Sequence, residues 1–363
     1  MIPIAKPLIG EEEIEGVVNV MRLGSIAEGP KVKEFEEAFA CFIGVKHAVA
    51  VNSGTSALLV SLLAKGIGRG DEVITTPFTF IATANAILFT GAKPVFADID
   101  PHTYNIDLRD IESKITKNTK AIIPVDLYGH MAPMEEIMDI AKENGLSVIE
   151  DACQAHGASI NGKMAGSFDV GCFSFYPTKN MTTGEGGMIT SDDPEFAEKA
   201  RMLRAHGSKV RYYHDTFGFN FRMMDLNASI GLSQLKKIDQ YNELRIINAK
   251  YLSDLLSGTK GIVRPVVESG YKHVFHQYTI RVTKDFGISR DEVARRLNDE
   301  GIGTGVYYPV PVHLQKYYKS LGYSESHPVA EQAAKEVISL PIHPSVTPKD
   351  IEFIADMLEW GLR

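Results

Sequence analysis

Three stretches of this chain carry side chains able to do chemistry, and they follow one another in order. The first is Asn52-Ser53-Gly54-Thr55-Ser56-Ala57-Leu58, which joins an apolar run to a helical one. Gly54 lets a ligand approach the backbone, and Thr55 and Ser56 offer hydroxyls. The free N–H groups and dipole of a helix's first turn favour a phosphate there. An ordinary Ser/Thr-capped helix is the plainer reading, and GxxxxGK[ST] is absent. The second stretch is Glu150-Asp151-Ala152-Cys153-Gln154-Ala155-His156-Gly157, after the apolar Val148-Ile149. Ligands of open α/β sheets bind beyond the carboxyl ends of strands. A carboxylate there stays ionised opposite a cation such as a protonated ring nitrogen; a helix cap or surface charge is the alternative. The third is FSFYPTKNMTTGEGG, residues 173–187. A lysine between a buried strand and a glycine-rich turn can lose its charge by desolvation and act as an amine nucleophile. Alone it would read as a surface lysine; its company raises its standing.

These residues need a scaffold, and the sequence predicts one. Apolar β-rich runs at 47–53, 72–77, 94–99, 121–126, 147–153, 171–176 and 187–191 predict strands. Several are apolar on both faces, as in a parallel sheet covered by helices on both sides. Between them, 56–65, 81–89, 133–144 and 194–205 predict helices, with Gly66, Gly91 and Gly145 placed as terminators. The alternation predicts a large α/β domain over residues 1–240, its mainly parallel seven-stranded sheet lying between helices. Beyond it the pattern changes. A long helical stretch, broken once, runs from Asp225 past Leu252. A strand at 277–282 follows, then a helix with a Ser289/Glu292 capping box. A last helix opens at Thr347-Pro348. This predicts a smaller α+β domain over residues 241–363.

Composition narrows the function classes. The 363 residues carry 38 Lys+Arg against 46 Asp+Glu, a net charge of −8, which speaks against non-specific nucleic-acid binding. Three cysteines without regular spacing give neither a disulfide framework nor a zinc motif, so no metal is expected. No secretory leader and no apolar run of about 20 residues is visible, so no membrane span and a reducing cytoplasm are expected.

A phosphate cup, a carboxylate for a ring nitrogen and a lysine amine together are what pyridoxal phosphate (PLP) requires. The chain resembles the DegT/StrS-type family of PLP-dependent sugar aminotransferases, of the aspartate-aminotransferase fold type (PLP-dependent transferase fold type I). The resemblance runs through SIAEGPKVKEFEEAFACFIGVKHAVAVNSGTSAL, PFTFIATANAI, VDLYGH, IEDACQAHGA, FSFYPTKNMTTGEGG, GFNFRMMDLNASIGLSQL, YYPVPVHLQ and SLPIHP, essentially the whole chain.

The resemblance implies roles residue by residue. Lys179 matches the lysine that forms a Schiff base with the cofactor and then serves as general base. Asp151 matches the carboxylate that keeps the pyridine nitrogen protonated. Gln154 matches the partner of the phenolic oxygen, and Phe80 the aromatic that stacks on the ring. Gly54, Thr55 and Ser174 match the phosphate cup. Asn220 matches a residue donated by the neighbouring subunit, which implies a homodimer with shared active sites. Arg222, His313 and Tyr308 are candidates for the substrates, with Tyr307 beside the last. His206 reads as structural, His156 as a support behind the residues that touch the cofactor, and Cys153 as packing.

The implied reaction moves the amino group of glutamate, through pyridoxamine phosphate, to a nucleotide-linked keto-sugar. The product would serve a surface glycan or a secondary metabolite. Position 179 is Lys and not the His of related sugar dehydratases, which favours amino transfer over deoxygenation. The TTGEGG turn resembles members acting on 4-keto sugars more than the GDGG-like turn of 3-keto enzymes. A regulatory protein that keeps the fold without turnover, and a PLP enzyme acting on a cyclitol, are the alternatives.

Overall fold

A computed structural model describes residues 1–210 and 212–359. Its centre is a seven-stranded sheet. The strands lie in the order His47–Val51, Gly187–Ser191, Val170–Ser174, Ser147–Asp151, Thr119–Ile123, Glu72–Thr75, Lys93–Phe96. Only Gly187–Ser191 runs antiparallel to its neighbours; the others point one way. Val148, Ile149, Ile122 and Ile123 are at most 1% exposed, as strands covered on both faces require.

Six of the expected strands end earlier than the apolar pattern suggested. His47–Val51, Glu72–Thr75, Lys93–Phe96, Thr119–Ile123, Ser147–Asp151 and Val170–Ser174 stop two or three residues short. The chain leaves the sheet there to build loops at its carboxyl edge. The helix Gly54–Ala64 is buried nearly all round, which fits its unbroken apolar sequence. Gly91 and Gly145 end their helices in the left-handed conformation, with φ of 84° and 65°. Two N-terminal helices, Glu11–Leu23 and Pro30–Ile43, complete this layer; the latter packs Phe35 and Phe39 against Phe175.

The long helical stretch is two helices, Asp225–Leu235 and Ile238–Leu255. The second crosses the expected boundary at residues 240–241 and ties four loops together from one face. Asn242 donates to the carbonyl of His156 at 2.7 Å and accepts from Asn180 at 2.8 Å. Arg245 donates to the carbonyls of Phe275 and His276, and Asn248 to those of Ile342 and Val346. A three-stranded antiparallel sheet follows, with Tyr278–Val282 between Ile262–Val263 and Val337–Leu340. Its core joins Ile280, Val293, Ile338 and Ile354. Ile2 pairs with Ile302, so the first residues of the chain sit against this C-terminal layer.

The expected capping box forms by half. Ser289 accepts from the Glu292 N–H, but the Glu292 carboxylate turns to Arg295 and Arg296 at 2.6–2.9 Å. Two guanidinium partners outcompete one backbone N–H for a carboxylate.

Candidate active site

The carboxyl edge of the central sheet opens on a cavity of about 680 Å³. Four strand ends supply its wall: Ser53, Gly54 and Thr55 after His47–Val51, Thr79 and Phe80 after Glu72–Thr75, Asp151, Cys153 and Gln154 at the end of Ser147–Asp151, and Ser174 with Lys179 at the end of Val170–Ser174. That is where an open α/β sheet binds its ligand.

Each feature has a local cause. Ser53 caps its helix by accepting from the Ser56 N–H at 3.1 Å, and its carbonyl accepts from Ala57. Among the described residues, the first-turn N–H groups of Gly54 and Thr55, at the cavity wall, keep no protein partner. Both readings of this stretch therefore hold together: a Ser-capped helix whose remaining donors are open to an anion. Gly54 is required by space. A Cβ there would meet Ser174 Cβ at 2.7 Å and Cys153 Sγ at 3.0 Å. Gly187 plays the same part opposite, since a Cβ there would lie 2.4 Å from the Ser53 carbonyl.

Asp151 is 5% exposed and ends its strand. One oxygen accepts from Thr83 Oγ1 at 2.8 Å, and Thr83 meets Thr79 Oγ1 at 3.0 Å; the other accepts from the Cys153 N–H at 3.3 Å. Three donors or relays fix a carboxylate that still faces the cavity. Lys179 lies on the same wall, half-buried, and its amine makes no hydrogen bond or ion pair with any described residue. Burial lowers its pKa below 10.5, opposed by Cys153 and Asp151. Burial raises the Cys153 thiol, so this cysteine is not a thiolate nucleophile.

Phe80 is 57% exposed, an open aromatic face in the cavity, with its ring 6.2 Å from that of Tyr308. Gln154 accepts from the Tyr128 N–H at 3.1 Å and donates to Tyr308 Oη at 3.3 Å. An anion cradle, a fixed carboxylate, a lysine amine and an open aromatic face fit a phosphorylated, planar, cationic heterocycle that carries an aldehyde.

The sequence-derived candidates thus divide. Gly54, Thr55, Phe80, Asp151, Gln154, Ser174, Lys179 and Tyr308 line the cavity. Asn220, Arg222 and His313 do not line it within this chain. Asn220 is exposed, its backbone bridged to Ala205. Arg222 lies 3.7 Å from Glu28. His313 is 1% exposed, 3.4 Å from Glu331, with its ring 4.7 Å from that of His327. Its helical turn packs it onto Phe96, away from the mouth. His156 is fully buried between Phe173 and Phe175, and burial lowers it to about 3. Thr83, His276 and Gln277 were not expected. Thr79 lies in the loop before the helix Ala82–Thr90 that carries Thr83, so no helical spacing marked the pair, and nothing in the pattern marked His276.

Behind Asp151 lies a second acid pair. Asp126 and Glu150 are both fully buried, and the Glu150 charge adds to burial in raising Asp126. Glu150 and Asp126 Oδ2 have no protein donor, so the pair is held by a shared proton. Burial pushes Glu150 up to about 7 and raises Asp126 too. Between the ordinary carboxyl range and about pH 7, the folded state therefore binds more protons than the unfolded one. That stabilisation is full at low pH and is lost as pH rises through about 7. Glu150→Gln keeps a hydrogen bond without the proton. We expect near-equal melting of variant and wild type at pH 5, and a variant more stable by roughly 1–3 kcal/mol at pH 8.5. A wild-type stability unchanged across that range contradicts the shared proton.

Comparison with known proteins agrees with this geometry. Residues 7–359 match the model of the DegT/DnrJ/EryC1/StrS aminotransferase family. The chain is 46% identical to the pleiotropic regulatory protein of Geobacillus stearothermophilus over 93% of this chain and 91% of that one. It is 43% identical to the UDP-N-acetyl-3-dehydro-alpha-D-glucosamine 3-aminotransferase of Acidithiobacillus ferrooxidans, over 96% and 93%. Streptomyces venezuelae DesV, solved with a ketimine intermediate, superposes with a TM-score of 0.93 at 38% identity, over 97% and 94%. The cofactor is pyridoxal phosphate and the fold that of the PLP-dependent aminotransferases. The chain belongs to the DegT/DnrJ/EryC1/StrS aminotransferase family.

Proposed function

We propose that this aminotransferase moves the amino group of glutamate to a nucleotide-linked keto-sugar, with amination at carbon 4. The observation that carries the reading is the joint placement of Lys179 and Asp151 in a cavity roomy enough for more than the cofactor. The carbon assignment rests on the turn Thr182-Thr183-Gly184-Glu185, whose Glu185 lines the cavity.

When bound, the cofactor supplies an electrophilic carbon for the amine and an electron sink for the substrate carbon. The chain's residues do the rest. Gly54 and Thr55 N–H, with Ser174, would hold the phosphate. Phe80 would stack on the ring, and Gln154 would meet its phenolic oxygen. Asp151 would support the charge of the ring nitrogen. Lys179 anchors the cofactor; its freed amine then takes a proton from the donor carbon and later returns one to the sugar carbon. Desolvation keeps that amine ready to accept a proton.

Glutamate and a sugar nucleotide are both anions, yet among the described residues no arginine lines the cavity of a single chain. The reading therefore includes a homodimer in which Asn220 and Arg222 of one copy complete the site of the other. Mixing Lys179→Ala with Asn220→Ala protein, each inactive alone, is expected to restore roughly a quarter of wild-type activity by forming mixed dimers. No restoration overturns the shared site.

A panel of 3-keto and 4-keto nucleotide sugars, assayed with glutamate, tests the substrate. We expect turnover of a 4-keto sugar at kcat/KM at least about tenfold above any 3-keto sugar. Preference for a 3-keto sugar overturns the carbon assignment, and turnover of a free cyclitol alone overturns the nucleotide sugar. The regulatory alternative predicts no turnover of any of them.

A further inference from the structure

His276 sits on the wall of the same cavity as Lys179 and belongs to none of the motifs that pointed to the site. It is 6% exposed. Its backbone is held with unusual firmness. Arg245 donates to the carbonyls of Phe275 at 3.2 Å and His276 at 3.4 Å. Val274 donates to the Gly129 carbonyl at 3.0 Å, and Gln277 to that of Tyr128 at 3.2 Å. Phe275 takes a φ of 45°, a left-handed conformation rare for a bulky residue. Strain of this kind persists where the surroundings fix it, and it clusters at functional sites.

The ring's surroundings define its state. Lys179, Arg245 and His156 face it, and none is an anion. Arg245 is 6% exposed and bonds only carbonyls, so its charge is not neutralised nearby. Burial and these charges push His276 well below its usual range, so the imidazole is neutral. Its Nδ1 is sealed without a partner. A buried N–H without an acceptor is costlier and rarer than an unused lone pair. The proton therefore belongs on Nε2, the ring nitrogen left to reach the cavity.

We propose that His276 presents a neutral Nε2–H donor to the acceptor oxygen next to the reacting carbon of each substrate in turn. The inference rests on the two-stage amino transfer proposed above. In the first stage that oxygen is a carboxylate oxygen of the amino donor. In the second it is a hydroxyl oxygen of the sugar. A fixed cation would suit the first and be left buried and unpaired in the second. A neutral donor serves both without a change of charge.

Two measurements decide it. In the holoenzyme, ¹⁵N-histidine spectra, assigned by loss of one spin system in His276→Gln, are expected to show His276 neutral and Nε2-protonated from pH 6 to 9. A titration in that range, or an Nδ1–H tautomer, overturns the proposal, whether or not glutamate proves to be the donor. In the glutamate half-reaction, Gln places an amide N–H where Nε2 lies, whereas Asn places it at the sealed Nδ1 position. His276→Gln is expected within about fivefold of wild-type kcat/KM. His276→Asn and His276→Phe should fall at least about thirtyfold, mainly through the KM for glutamate, with cofactor absorbance intact in all three. Equal losses in the three variants mean a structural role and overturn the donor assignment. Wild-type protein that ignores glutamate contradicts the proposed function, and the spectra still decide the state of His276.

Discussion

Lys179→Ala is expected to abolish the visible absorbance of the lysine-bound cofactor and to lower amino transfer by at least about 10³-fold. The effect is large because one side chain does two jobs, as anchor and as base. No described carboxylate pairs with its amine, so nothing holds it as an inert ion pair. Burial lowers its pKa, and the deprotonated fraction rises with pH from a midpoint below 10.5. In the cofactor-free protein the same shift has a stability consequence. Between the lowered pKa and 10.5 the unfolded chain binds the extra proton, so stability gains from this group as pH rises through that window. Alanine removes that slope. Small primary amines added to the variant should restore part of the proton transfer. A variant retaining more than a tenth of wild-type activity contradicts both roles.

Asp151→Asn is expected to lower amino transfer by roughly 10²-fold while leaving the fold intact. The carboxylate is neither a cap nor a surface charge. It ends a central strand, takes hydrogen bonds from Thr83 and Cys153, and faces the cavity. An opposite charge at contact shifts a titrating group by about 1–3 pKa units, and the amide forfeits that support for the ring nitrogen. Asn is nearly isosteric, so cofactor retention and melting temperature should change far less than rate. Titrating the cofactor absorbance against pH separates the effects: the ring-nitrogen midpoint should fall in the variant. An unchanged midpoint contradicts the pairing.

Much of this site was legible because its chemistry sits at strand ends, where residue type and position reinforce each other. Asp151 follows Val148-Ile149, and Gly54 follows Val49–Val51. The same logic overshot the strands: Val125 and Phe175-Tyr176 are apolar or aromatic enough to extend a strand, yet they turn away to form the loops of the site. Residues that reach the cavity from far along the chain were harder to see. His276 arrives only because Arg245 and the Tyr128-Gly129 turn clamp its loop, and no spacing rule encodes such a contact. His313 shows the converse. Its motif suggested the substrate, but packing against Phe96, His327 and Glu331 decides where its ring goes. The Asp126–Glu150 pair was invisible for a related reason: which carboxyls meet is settled by sheet order.

The most direct measurement is the absorbance spectrum of purified, PLP-reconstituted protein before and after glutamate, with Lys179→Ala beside it. The account predicts a visible band in the wild type that glutamate converts to a shorter-wavelength pyridoxamine phosphate band, with formation of 2-oxoglutarate, and neither change in the variant. A reconstituted wild type that binds no chromophore, or one whose band ignores glutamate, contradicts it.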